Sequence, residues 1–145
     1  MGAVIEKYGK ELKNIKIPDR LSNAEVISWL HSNDINWRYM LYFKQYSLLK
    51  DEVISKWLNI SVRTLRNYRK PDNKLKENVK EHLLLLISLF KHGNEVFGSS
   101  EDFNKWLNEE NFYFDGNTPV SYLNTVTGIR LVENRLTAME YGDNV

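Results

Sequence analysis

The sequence predicts an all-α fold, on three observations. Apolar residues return at i, i+3 and i+4 in window after window. Capping and stop residues fall at the ends of those windows. Alternating runs of strand type amount to a few residues at most. With 145 residues, 42% of them hydrophobic and 27% charged, the chain suits one compact domain, or two small ones sharing a core, and argues against wholesale disorder.

The elements follow in order. Residues 1–20 are lysine-rich and weakly patterned, and Pro18 interrupts helix there, so a mobile arm or a short, loosely held helix is expected. Ser22 is an N-cap, and Val26, Trp29 and Leu30 make 23–32 a short amphipathic helix. After Asn33-Asp34, the residues Trp37, Met40, Leu41, Lys44 and Tyr46 predict a second helix with aromatic residues on its buried side. A third helix spans 51–58 and is interrupted at Asn59; a fourth starts at Ser61 and ends before Pro71. A long helix runs from about Leu75 to Phe97. Its centre, Leu83–Ile87, is apolar all round, so it is expected to be buried on every side as the spine of the molecule. Gly98 stands at a left-handed C-terminal cap and Ser99 or Ser100 caps the next helix, through Phe103, Trp106 and Leu107. A short extended piece is expected at 111–114 and a turn at 115–117. Thr118-Pro119 opens a short helix through Tyr122 and Leu123, and Thr125 or Thr127 opens the last, with Ile129, Val132, Leu136 and Met139 on one face and an end at Tyr141-Gly142.

The segment Asp51–Lys70 meets the demands of a DNA-binding helix-turn-helix. The fifth position must be small where the helices cross, and is Ser55. The ninth must accept a left-handed backbone, and is Asn59. The fourth, eighth, tenth and fifteenth must be apolar, and are Ile54, Leu58, Ile60 and Leu65, with Tyr68 at the eighteenth. The second helix of such a pair lies in the major groove. Ser61, Val62, Arg63, Thr64, Arg66, Asn67, Arg69 and Lys70 are its candidate DNA-binding residues. Arginine suits guanine and asparagine suits adenine, and Arg69 and Lys70, near the end, suit phosphate.

Charge supports two jobs. The net charge is +1, but residues 44–91 hold eleven Lys and Arg against five Asp and Glu, while residues 92–145 hold three against nine. A basic middle fits phosphates and an acidic end fits a protein partner. There is no cysteine, no apolar run long enough to span a bilayer, and no secretory pattern in the charged first ten residues, so a cytoplasmic location is expected. The histidines His31, His82 and His92 have no metal-ligand spacing, and no phosphate loop, zincin motif or elbow serine occurs. The expectation is a binding protein without catalysis, metal or cofactor.

The C-terminal stretch resembles a known family. It contains Val96-Phe97-Gly98, Phe103-Asn104-Lys105-Trp106-Leu107-Asn108, Gly116-Asn117-Thr118-Pro119, Leu123-Asn124-Thr125, Gly128-Ile129-Arg130-Leu131-Val132-Glu133 and Tyr141-Gly142. In this order and spacing it resembles the toxin-binding domain of Xre/MbcA/ParS antitoxins, and the upstream pair fits the Xre-like DNA-binding half. The chain departs from the family's pattern at Gly93-Asn94, where alanine is common and a looser helix is therefore expected, and at Asn67-Tyr68, which implies a different operator. The resemblance implies a type II antitoxin that covers the active site of a RES-domain, NAD-consuming toxin and represses its own operon.

Three regions are expected on this basis: 1–36 as an arm with a short helix, 37–92 as the DNA-binding domain, and 93–145 as the toxin-binding domain. The expected toxin contacts are the polar face of the last helix and the tail: Arg130, Glu133, Asn134, Thr137, Glu140, Tyr141, Gly142, Asp143, Asn144 and Val145. A homodimer is expected from two-fold operators and from the apolar surplus around Trp37, Met40, Tyr42 and Phe43, with a larger hetero-oligomer once toxin is bound. The rival reading is a stand-alone helix-turn-helix regulator with a C-terminal sensing or dimerisation domain. A further rival is an antitoxin that has lost DNA binding.

Overall fold

The structure is a computed structural model that describes residues 15–142. Among these it is all-helical. Seven α-helices are formed: α1 (Asn23–Ser32), α2 (Trp37–Ser47), α3 (Asp51–Leu58), α4 (Val62–Tyr68), α5 (Glu77–Phe97), α6 (Ser100–Leu107) and α7 (Val126–Glu140). Two 3-10 turns, Phe112–Phe114 and Pro119–Tyr122, link α6 to α7.

Local chemistry sets most of the boundaries. Ser22 and Glu25 form a reciprocal capping box at the start of α1. Asn36, Ser61, Ser99 and Thr125 each accept a backbone N–H at the start of α2, α4, α6 and α7. Each such cap contributes about 1 kcal/mol. Gly98 ends α5 at φ 82°, in the left-handed region.

The core is organised by α5, which packs against α1, α2, α3, α6 and α7. Leu83–Ile87 are buried all round, as the pattern predicts. Phe90 stands at a junction of rings, 5.3 Å from Phe43, 5.8 Å from Trp57 and 5.1 Å from Phe103. Gly93 does not loosen the helix. A Cβ there would come within 2.3 Å of the Phe103 ring, so the missing side chain is what lets α6 approach α5.

Three expectations need correction. The piece at 111–114 is a tight 3-10 turn rather than extended, because the Asn111 side chain accepts from Tyr113 N–H and its carbonyl accepts from Phe114 and Gly116. Residues 15–20 are not a loose arm. Ile17 and Leu21 are buried in the core, and the carbonyls of Ile17 and Pro18 accept from Lys91 Nζ (2.7 Å) and Ser88 Oγ (2.9 Å) on α5. The apolar surplus on α2 is no surplus: Trp37, Met40 and Phe43 are buried within the monomer and Tyr42 is half-buried. The rest of the predicted arm, residues 1–14, lies outside the described residues.

Candidate functional site

The pair α3–α4 is built as the sequence spacing requires. Asn59 takes φ 58° at the junction, and Ile60 N–H donates to the Ser55 carbonyl across the turn. Ile54, Ser55, Leu58, Leu65 and Tyr68 are buried between the helices and the core. Ser61, Arg63, Arg66, Asn67 and Lys70 are exposed, while Val62 and Thr64 are half-buried. Thr64 gives its N–H to the Ser61 cap.

Arg69 is a correction. It does not face outward; its side chain is 6% exposed and clasps Asp51, with Nη1 to Oδ1 at 2.7 Å and Nη2 to Oδ2 at 2.8 Å. Arg69 follows the last residue of α4, and its side chain reaches Asp51, the first residue of α3. Lys44 Nζ reaches Asp51 Oδ1 at 3.1 Å and Arg66 Nε reaches Oδ2 at 3.2 Å. The Arg69 hydrogen bonds, reinforced by Lys44 and Arg66 and opposed by partial burial, hold the Asp51 carboxyl well below the ordinary carboxylate range. Asp51 is absent from the sequence-derived site. Its arginine partners lie 15 and 18 residues away, where no local spacing rule reaches.

The polar face of α7 is also not free. Arg130 donates to the Leu21 carbonyl and, at 2.9 Å, to Asn23 Oδ1. Glu133, turned inward, and Glu140, at the exposed end of α7, both reach His92, which is fully buried on α5. Glu133 meets Nδ1, and Glu140 meets Nε2 at 2.9 Å. Arg20 pairs with Glu140 at 3.1 Å. Burial disfavours the charged His92 ring, but the two carboxylates outweigh it and raise the pKa above its ordinary value. Both carboxylates of the expected acidic face are therefore engaged with His92. Besides Glu140 at its end, what α7 exposes is neutral: Thr127, Leu131, Asn134 and, beyond the helix, Tyr141 and Gly142. Thr137 is half-buried and donates to the Glu133 carbonyl. Asp143, Asn144 and Val145 lie outside the described residues.

Beside that stripe stands an aromatic ridge that the sequence reading missed. Phe112 is 88% exposed, and Tyr113 packs edge-on against it at 5.5 Å. The Arg135 guanidinium lies 3.4 Å over the Tyr113 ring. Leu131, also exposed, sits one turn before Arg135 on α7. The triplet Phe112-Tyr113-Phe114 held the signal: in a tight turn, three aromatic residues cannot all point inward, and only Phe114 is buried.

The two halves touch through specific bonds. Asn59 Nδ2 donates to the Asn124 carbonyl at 2.9 Å, and His82 Nε2 donates to the Leu123 carbonyl at 2.8 Å.

Comparison with protein families finds that residues 92–142 match the model of the antitoxin Xre/MbcA/ParS C-terminal toxin-binding domain. No curated protein matches the chain. The match covers the end of α5, α6, both 3-10 turns and α7. It supports an antitoxin of a toxin–antitoxin system with a protein toxin as partner. The matched family is not typically catalytic. No helix among the described residues is long and apolar enough to cross a membrane.

Proposed function

We propose that this chain is a type II antitoxin that neutralises a RES-type, NAD-consuming toxin by covering its active site, and that represses its own operon through α3 and α4. The observation that carries the reading is the toxin-binding domain match over 92–142. The DNA-binding half is supported by the left-handed turn at Asn59 and by the exposed Arg63, Arg66, Asn67 and Lys70 on α4. The RES class of the toxin rests on the sequence resemblance. A cytoplasmic location accompanies the reading.

The toxin contact belongs to the exposed Asn134, Tyr141 and Gly142 of the matched domain and the half-buried Thr137, extended by Leu131, Phe112 and Tyr113, together with the segment 143–145 that follows the match. Tyrosine is among the residue types enriched at the energetic centres of protein interfaces, and Tyr113 is exposed at 47%. Arg130, Glu133 and Glu140 shape this surface through their internal bonds. The operator complex is a homodimer, since one recognition helix reads too few base pairs for useful specificity.

Co-expression with the protein encoded beside it tests the reading. The full chain co-purifies with that protein and silences its consumption of NAD in vitro. Deleting residues 141–145 leaves fold and operator binding intact and restores NAD consumption. Full neutralisation by the truncated chain would overturn blocking by the tail and leave the Phe112–Tyr113 ridge as the contact. Failure of the full chain to bind its neighbour would overturn the antitoxin reading and favour a stand-alone regulator.

A further inference from the structure

Arg66 is the most exposed member of the Asp51 cluster, at 59%, against 13% for Asp51 and 6% for Arg69. One of its nitrogens is nevertheless committed: Nε donates to Asp51 Oδ2 at 3.2 Å. Asp51 cannot swing to follow it. Arg69 holds both carboxylate oxygens from the buried side, and Lys44 holds Oδ1. Lys44 is itself tied at 2.6 Å to the Leu49 carbonyl.

A solvent-exposed arginine ordinarily samples many rotamers, and ordering it on binding forfeits side-chain entropy. Fixing Nε sets the plane of the guanidinium before any ligand arrives. The side-on fork, which uses Nε, is then occupied. The end-on fork, Nη1 with Nη2, is left for a planar pair of acceptors. In the major groove, that pair is the O6 and N7 edge of guanine.

We infer that Asp51 is a positioning residue that pre-orients Arg66 to grip one guanine end-on. The inference rests on the proposed reading of α4 as a recognition helix. It also explains why an acid sits against Arg66 and Arg69 of the reading helix. By charge alone Asp51 opposes DNA, because it repels phosphate. By geometry it raises selectivity.

Those two roles give opposite signs in one experiment. The wild-type protein selects its site from a randomised duplex pool, and the guanine whose discrimination Arg66→Ala abolishes is identified. Replacing that guanine by 7-deazaguanine removes the N7 acceptor. The replacement weakens wild-type binding about tenfold and Asp51→Asn binding less than about threefold. Asp51→Asn holds random-sequence duplex as tightly as wild type or more tightly. A full tenfold penalty retained in Asp51→Asn would overturn the inference.

A second measurement needs no variant and so survives misfolding of Asp51→Asn. In the free protein, the Arg66 Nε–H bond vector has an order parameter close to the rigid-backbone value of about 0.85, while that of Arg63 is mobile. A mobile Arg66 Nε–H would overturn pre-orientation. If wild type selects no sequence at all, the recognition-helix reading and this inference fall together. If it selects a site with no guanine sensitive to Arg66, the recognition-helix reading stands and the inference alone falls.

Discussion

Gly93 carries no side chain, and Phe103 uses the space. Gly93→Ala forces a Cβ against a ring that already contacts Phe90, Phe97 and Trp106, so neither partner has room to withdraw. It should lower stability by about 1–3 kcal/mol in a denaturant titration, despite alanine's better helix propensity. His92 gives the second expectation at this scale. Its pKa is raised in the fold, so its stabilisation is fully present below the unfolded value of about 6.5 and is lost as pH rises through the higher folded value. The thermal midpoint of the wild type should therefore fall as pH rises above about 6.5, and that of His92→Gln should stay flatter. Asp51 has the opposite sign. Its carboxyl is depressed, so its contribution is present above the ordinary carboxylate range and is lost as pH falls through the folded value.

At the scale of elements, α4 separates two basic residues that adjoin in sequence. Lys70 is exposed and Arg69 is buried against Asp51. Lys70→Ala should weaken DNA binding evenly across sequences and reduce the salt slope by about 1. Arg69→Ala should instead cost stability, about 1–3 kcal/mol, because it strips a largely buried carboxylate of its main partner. Arg66→Ala should lose on the order of 1–3 kcal/mol of specific binding. Unchanged operator affinity in an Arg63→Ala/Arg66→Ala double variant would count against α4 as the reading helix. The starts of α1, α4, α6 and α7 were legible because a cap and its recipient lie within three residues. The engagement of Arg69, Glu133 and Glu140 was not. Their partners lie 18, 41 and 48 residues away, and periodicity gives the side of a helix without saying what covers that side. The same limit hid the docking of Ile17 and Leu21, since the weak pattern before Ser22 carries no period at all.

For the whole molecule, assembly is the open quantity with a direct measurement. A dimer is expected in light scattering at micromolar concentration with operator present, and a strictly monomeric mass with and without operator would remove the homodimer from the proposal. Its interface cannot use Trp37, Met40 or Phe43, which the monomer core consumes.

The continuity of α5 has a consequence for how such proteins can diversify. The matched domain begins at His92, inside a helix that runs unbroken from Glu77 to Phe97 and whose middle faces both halves. Exchanging one partner specificity for another by recombination at that boundary would graft a foreign α6 and α7 onto Leu83–Phe90. The graft would also have to offer main-chain carbonyls to Asn59 and His82 where Asn124 and Leu123 now stand. New pairings should therefore arise by drift of surface positions such as Phe112 and Tyr113, with α5 inherited as a single block.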